Sequence, residues 1–233
     1  MHEVPFHFFP RKHGSSKIRI VKVGMSFMKL LAQSWRWRNS VESCDYDARA
    51  YDSLNLPQRY WQRTRYKLIT DYGDRNGKVL DLGCGSSRIF ESLPLAVGVD
   101  VNMKKLRYRR PLGKPLICAS VNHVPMKSES FDQVICAEVI EHIPEDEGVF
   151  RELHRVLKPG GTLVLGTPDY SRWQWNLVEW LYGKLMLGGY ADEHITHYTY
   201  DSLVKILDRN GFDYLDHTYS LQGDLIIKAR KRK

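Results

Sequence analysis

The run Val79-Leu80-Asp81-Leu82-Gly83-Cys84-Gly85 constrains what this chain can fold into more than any other feature. A short apolar stretch that stops at two glycines reads as a buried strand entering a tight turn. Glycine lets the backbone bend sharply there and lets a ligand come close to it. A short helix over 87–92 follows, so its N-terminal amides would face whatever occupies the turn. The next strand-like segment, 96–99, runs into Asp100, 19 residues after Asp81. A carboxylate about 20 residues on, at the tip of the second strand, is placed to accept both hydroxyls of a ribose.

The third glycine of a dinucleotide fingerprint is missing, because Ser86 and Ser87 follow Gly85. That glycine serves tight packing under a pyrophosphate. The turn therefore argues against NAD and suits a nucleoside cofactor without phosphate, of which S-adenosylmethionine (SAM) is one.

The remainder of 78–230 alternates strand-like and helix-like segments. Strands are expected over 78–82, 96–99, 116–119, 133–137, 162–166, 212–219 and 224–228. Helices are expected over 87–92, 103–109, 145–157 and 201–209. Lys158-Pro159-Gly160-Gly161 reads as the stop of the third helix and Asn210-Gly211 as that of the fourth. This is the pattern of an α/β, doubly wound, mostly parallel seven-stranded sheet with the last strand inserted antiparallel. Residues 41–77 read as a lead-in helix with Leu54, Tyr60, Trp61, Tyr66, Leu68 and Ile69 as its apolar positions. Residues 170–190 form an aromatic insertion.

Four motifs in succession carry a family resemblance. They are Asp81-Leu82-Gly83-Cys84-Gly85, Gly98-Val99-Asp100, Phe131-Asp132-Gln133-Val134-Ile135-Cys136 and Leu153-His154-Arg155-Val156-Leu157-Lys158-Pro159-Gly160-Gly161. Together they resemble the motifs of class I SAM-dependent methyltransferases, over roughly residues 50–230. The resemblance implies a Rossmann-like domain over 41–233 that binds SAM. It implies that Asp81 and the Gly83-Cys84-Gly85 backbone hold the methionine end, and that Asp100, with Val101 beside it, holds the ribose. It implies that Ala119-Ser120-Val121 flank the adenine, and that Ala137 and Glu138 lie beneath the cofactor. Ser120 departs from the pattern, since relatives often carry Asp there to accept from the adenine amino group.

Methyl transfer to a hydroxyl also needs the acceptor's proton removed. Glu138-Val139-Ile140-Glu141-His142 follows the fourth strand at the ligand-binding end of the sheet. Its E-x-x-E-H pattern resembles the ubiquinone-biosynthesis O-methyltransferases, in which the matching side chains are linked to a divalent metal. Read without a metal, Glu138 caps backbone and His142 lines the pocket, and no metal ligands are assigned. The second candidate is Asp192-Glu193-His194-Ile195-Thr196-His197-Tyr198, where His194 and His197 would face the acceptor. An unperturbed imidazole titrates near neutral pH and suits a base. His142, His194 and His197 are therefore the candidate catalytic residues.

Charge is concentrated at one end. Residues 1–40 hold eight Lys/Arg against the single acid Glu3, which leaves +7 of the chain's net +8. From about 19 to 38 a helix would place Arg19, Lys22, Lys29 and Arg36 on one face, with Ile20, Phe27, Met28, Leu31 and Trp35 on another. A basic amphipathic helix suits an anionic membrane surface or a partner's groove. Upstream of it, Val4-Pro5-Phe6-His7-Phe8 leads to Arg11, Gly14, Ser16 and Lys17. That spacing resembles the closing segment of dolichol-phosphate-mannose-synthase-like family 2 glycosyltransferases. Their nucleotide-sugar core is absent, so glycosyl transfer is not inferred. The resemblance points instead to lipid or glycan acceptors, or to a glycosyltransferase partner, at a membrane surface.

The aromatic insertion (Tyr170, Trp173, Trp175, Trp180, Tyr182 and Tyr190, with Leu and Val between them) is too apolar for a solvated loop. With the histidine loop it would form a lid over 170–198. Nucleic acid is the rival partner for a basic chain, but no recognised RNA-binding module and no N-P-P-Y-type motif is present. Cys44, Cys84, Cys118 and Cys136 form no C-x-x-C pair, which points to a reducing, cytoplasmic setting. Residues 1–10 lack the apolar core of a signal peptide. The expected function is SAM-dependent methylation of a small-molecule, lipid or glycan acceptor, at oxygen. The alternative is a SAM-binding, membrane-recruited partner subunit of a glycosyltransferase.

Overall fold

A computed structural model describes residues 20–38, 40, 43–145, 147–185 and 194–233. The glycosyltransferase-like segment over 1–19, and residues 186–193 with the start of the histidine loop, lie outside the described residues. The chain divides into two units, Met1–Arg36 and Trp37–Lys233.

In the first unit begins α1, Ile20–Arg38, whose residues are exposed throughout their described length. The lead-in segment is two helices, α2 (Tyr46–Tyr51) and α3 (Leu56–Asp71), where one was expected. Pro57 explains the break: its ring is tolerated in the first turn of a helix but not within one, so a new helix starts there.

The sheet follows. β1 is Val79–Leu82, α4 Ile89–Ser92, β2 Ala96–Asp100, α5 Met103–Arg109, β3 Leu116–Cys118 and β4 Phe131–Ala137. Then come α6 (Glu147–Val156), β5 (Leu157–Pro168), α7 (Trp173–Leu185), α8 (Tyr200–Arg209), β6 (Phe212–Ser220) and β7 (Asp224–Lys231). The strand order is β3-β2-β1-β4-β5-β7-β6. The first five strands pair in parallel, and β7 pairs antiparallel with both β5 and β6. The expected seven-stranded, doubly wound sheet is the observed one.

β1 and β2 are buried along their whole length, as strands covered on both faces must be. One core, around Leu80, Phe131, Phe150, Leu153 and Leu207, lies under α6 and α8. The other, around Ile69, Phe90, Leu93 and Ile135, lies under α3 and α4.

Lys158-Pro159-Gly160-Gly161, expected to precede the fifth strand, lies inside it. Phe131 pairs with Leu157 and Gln133 with Thr162, so four residues stand opposite Asp132 alone and the three extra ones are taken up in an irregular bulge. Gly160 has φ +78°, and a Cβ on Gly161 would stand 3.0 Å from the Asp132 carbonyl oxygen. Lys158 pins the bulge with a 2.6 Å ion pair to Asp132.

Candidate active site

A cleft of about 670 Å³ opens at the C-terminal ends of the parallel strands. One side is set by the glycine turn. Gly83 (φ +72°) and Gly85 (φ +49°) sit in the left-handed region, and a Cβ on Gly83 would come within 2.2 Å of Val139. The Gly83 and Cys84 amides donate to the Val99 carbonyl, which locks the turn onto β2. Asp100 receives the Gly85 amide at 2.8 Å on one oxygen and the Asn102 amide at 2.6 Å on the other. An ionised carboxylate has about four lone-pair sites, so two such bonds orient it and leave capacity for ribose hydroxyls.

Asp81 lies under the turn, 4% exposed, and its Oδ2 is buried without a hydrogen-bond partner among the described residues. Burial, and secondarily the Asp100 charge, push its carboxyl up to about 7. A buried acceptor left unsatisfied is costly, and an ammonium group at that place would relieve it. S-adenosylmethionine carries an α-ammonium at its methionine end and a ribose beyond it, so the residues present fit that cofactor.

Gly83, Asp100, Val101, Ser120, Val121, Glu138, His142 and His194 all line the cleft. Asp81, Gly85 and Ala137 line a smaller recess that shares Gly83 and Glu138 with it. Cys84 acts through its backbone only: its side chain is buried in the core, and a Cβ on Gly98 would meet its sulfur at 2.9 Å. Ala119 is half-buried behind the lining, with its amide on the Asp100 carbonyl. The Ser120 hydroxyl accepts the Asn122 amide at 3.3 Å, which closes the loop at the adenine end. His197 is exposed and stacked on Tyr170, with ring centroids 4.0 Å apart, and lies outside the cleft lining.

The two histidines that do line the cleft are brought together by backbone. The Ile195 and Thr196 amides both donate to the Glu141 carbonyl, and the Thr196 hydroxyl donates to that of Ile143. This short stitch holds the post-β5 loop against a 3-10 turn over Ile140–His142. The His142 and His194 rings lie 5.0 Å apart. Tyr170 Oη is 2.7 Å from His194 Nδ1 and donates to Glu179 Oε1 at 2.9 Å. With its proton on Glu179, that hydroxyl accepts from Nδ1–H, so Nε2 is the basic nitrogen of His194. Burial, and then the nearby His142, hold the His194 imidazole below its ordinary range, so it is neutral at pH 7.

Glu138 holds a positive φ of 57°, a strained backbone of the kind that clusters at functional sites. Its Oε2 pairs with Arg65 at 2.7 Å. Arg65 also lies 3.8 Å from Asp224, which accepts the Trp61 indole N–H at 3.1 Å. Burial, followed by the Glu138 charge, pushes both Glu141 and Asp224 well above the usual carboxyl range. Sequence reasoning missed Arg65, Lys105, Tyr170's role and Glu179. Arg65 and Lys105 are cations that line both recesses, and neither α3, which carries Arg65, nor α5, which carries Lys105, holds a motif to mark them.

Glu141, His142 and His194 each place a ligand atom within 4.8 Å of the other two. That set fits a divalent cation, with Glu138 drawn away by Arg65. Next to His194 the cleft wall is apolar and aromatic: Trp175 stacks on the His194 ring at 6.1 Å and meets Trp61 edge-on at 5.8 Å, with Val178 also in the lining.

A family model described as a methyltransferase domain matches residues 80–165, which span β1 to β5. A protein of Encephalitozoon cuniculi named as a methyltransferase is 28% identical over 184 residues, 74% of this chain and 87% of that one. The ubiquinone biosynthesis O-methyltransferase of Coxiella burnetii is 25% identical over 186 residues, 70% of this chain and 80% of that one. Among solved structures, a SAM-dependent methyltransferase of Thermotoga maritima superposes with a TM-score of 0.62 at 20% identity, covering 77% of this chain and 96% of that one. The 1,6-didemethyltoxoflavin-N1-methyltransferase of Burkholderia thailandensis, with bound S-adenosylhomocysteine, gives 0.57 at 16% identity, covering 87% and 90%. Strand order, glycine turn, the acid at the tip of β2 and the matching domain model place this chain among the class I SAM-dependent methyltransferases.

Proposed function

We propose that the enzyme methylates a hydroxyl oxygen of an amphiphilic small molecule, of lipid or glycan type, with His194 as general base. The observation that carries the reading is the stitch of Ile195 and Thr196 onto Glu141, which presents a neutral imidazole to the same cleft as Asp100. The names of the ubiquinone biosynthesis O-methyltransferase relatives support oxygen as the acceptor atom.

S-adenosylmethionine supplies a methyl group already activated on a sulfonium. Asp81 and Asp100 would hold its ammonium and ribose, and Arg65 or Lys105 would face its carboxylate. The acceptor lies against Trp61, Trp175 and Val178, which exclude water from the transfer. His194 would take the proton of the acceptor hydroxyl at Nε2, which would leave that oxygen free to receive the methyl group. Tyr170 and Glu179 are positioning residues that fix the tautomer needed for this.

A second reading has one observation in its favour, the three-ligand set Glu141, His142 and His194. A divalent cation held there would acidify the acceptor hydroxyl in place of the imidazole. Activity that survives chelation favours the base; loss on chelation with recovery on Mn²⁺ or Zn²⁺ favours the cation.

The test incubates labelled SAM with lipid, glycan and RNA fractions and follows the label. Label in lipid or glycan is expected. His194→Gln should lower kcat by about 10²- to 10⁴-fold, the usual worth of a general base, with SAM affinity kept. Asp100→Ala should abolish SAM binding by titration calorimetry. SAM binding with no label in any fraction would instead favour the partner-subunit alternative, and label confined to RNA would overturn the acceptor class.

A further inference from the structure

Helix α1 has an unusual composition. Between Ile20 and Arg38 there is no acidic residue, while Lys22, Lys29, Arg36 and Arg38 are basic. At about 100° per residue, Lys22, Ser26, Lys29 and Gln33 fall within roughly 60° of arc. Leu30, Val23, Phe27, Ile20, Leu31, Met28, Val21 and Met25 spread over roughly 220° on the other side. Only Ser34 and Arg38 interrupt that apolar arc, both near the C-terminal end. Ile20 is 82% exposed, Met25 69%, Met28 65% and Phe27 59%.

The width of the arc decides what can cover it. A helix packed on a protein buries a stripe of roughly 100° or somewhat more. An arc more than twice as wide matches a medium that surrounds the helix on three sides. The helix is not a membrane span: among the described residues none is long and apolar enough to cross. At 1.5 Å per residue it is about 28 Å long and would lie in the interface plane. A second copy of α1 is a poor partner, because two acid-free, basic faces repel. Negative charge must come from the surface that receives it, and the rest of the chain is nearly neutral, since 1–40 hold almost the whole net charge.

We propose that α1 lies flat on an anionic bilayer, its broad apolar arc at the boundary of headgroups and acyl chains and Lys22 and Lys29 among the headgroups. Lysine suits that place, since its aliphatic stem can stay in the apolar layer while the ammonium reaches the headgroups. This surface is independent of the chemistry assigned to the cleft.

Flotation of the full chain with phosphatidylcholine vesicles, with and without phosphatidylserine, tests it. Binding to the phosphatidylserine vesicles alone is expected. Because a basic residue near an anionic surface is worth about 1 kcal/mol, Lys22→Glu with Lys29→Glu should weaken partition by at least about tenfold. Phe27→Ser with Leu31→Ser should weaken it as much, and both double variants should keep wild-type SAM affinity, which shows that they are folded. The proposal is overturned if wild type stays soluble with both vesicles, or binds both alike and ignores the lysine changes. It is also overturned if the serine variant dissociates an oligomer while vesicle binding is absent throughout.

Discussion

Asp81 is the residue whose chemistry most depends on whether the site is filled. Burial disfavours its charged form and Asp100 lies close by, so its carboxyl is pushed up to about 7. A raised acid stabilises the fold while it is protonated, and that contribution is lost as pH climbs from the ordinary carboxyl range through about 7. An ammonium beside it reverses the preference and lowers its pKa. SAM binding near pH 6.5 is therefore expected to release a fraction of a proton, falling away above about pH 8. Calorimetry in buffers of different ionisation enthalpy measures this, and Asp81→Asn should abolish the buffer dependence. If the variant releases the same proton, another group is responsible. Glu138 shows a different single-residue strategy: a non-glycine at φ 57° whose carboxylate is held in place by Arg65.

At the scale of elements, α3 and α7 meet over the cleft through Trp61 and Trp175. Aromatic pairs of this geometry contribute about 0.5–1.5 kcal/mol beyond their buried area. A double-mutant cycle with Trp61→Leu and Trp175→Leu should return a coupling of that size in urea unfolding, and each single change should raise the acceptor KM more than the SAM Kd. Additive effects would mean the two helices are not coupled. The elements also explain what the sequence could disclose. β1, its glycine turn and Asp100 were legible because strand, turn and acid are set by local spacing and one strand-to-strand step. His194 beside His142 was not, since 52 residues separate them and the link is two amides on the Glu141 carbonyl. His197, only three residues further on, looked equivalent in the sequence but faces solvent against Tyr170. The Lys158–Gly161 segment misled for a related reason: its Pro-Gly-Gly content signals a turn, and only the pairing of β5 with β4 shows the turn absorbed as a bulge.

For the whole molecule, occupancy of the cleft adds to stability by mass action. A ligand at about 100 times its Kd contributes about 2.7 kcal/mol, and at about 2–4 °C per kcal/mol for a domain of this size that is a rise in Tm of roughly 5–10 °C. SAM should give this shift with the wild type and little with Asp100→Ala; equal shifts in both would place SAM elsewhere.

The order of the strands sets a schedule for the molecule's birth. β7 lies between β5 and β6, with Leu225, Ile226, Ile227 and Ala229 buried, although it is made after both of them. While a ribosome is still adding residues before 224, β5 has an open edge on that side, and such edges template wrong pairing. The glycine turn and Asp100 will long since have emerged by then. The nascent chain can thus expose its cofactor-binding half well before it can close its sheet, and a SAM molecule that arrives early would have a site to bind on a protein not yet finished.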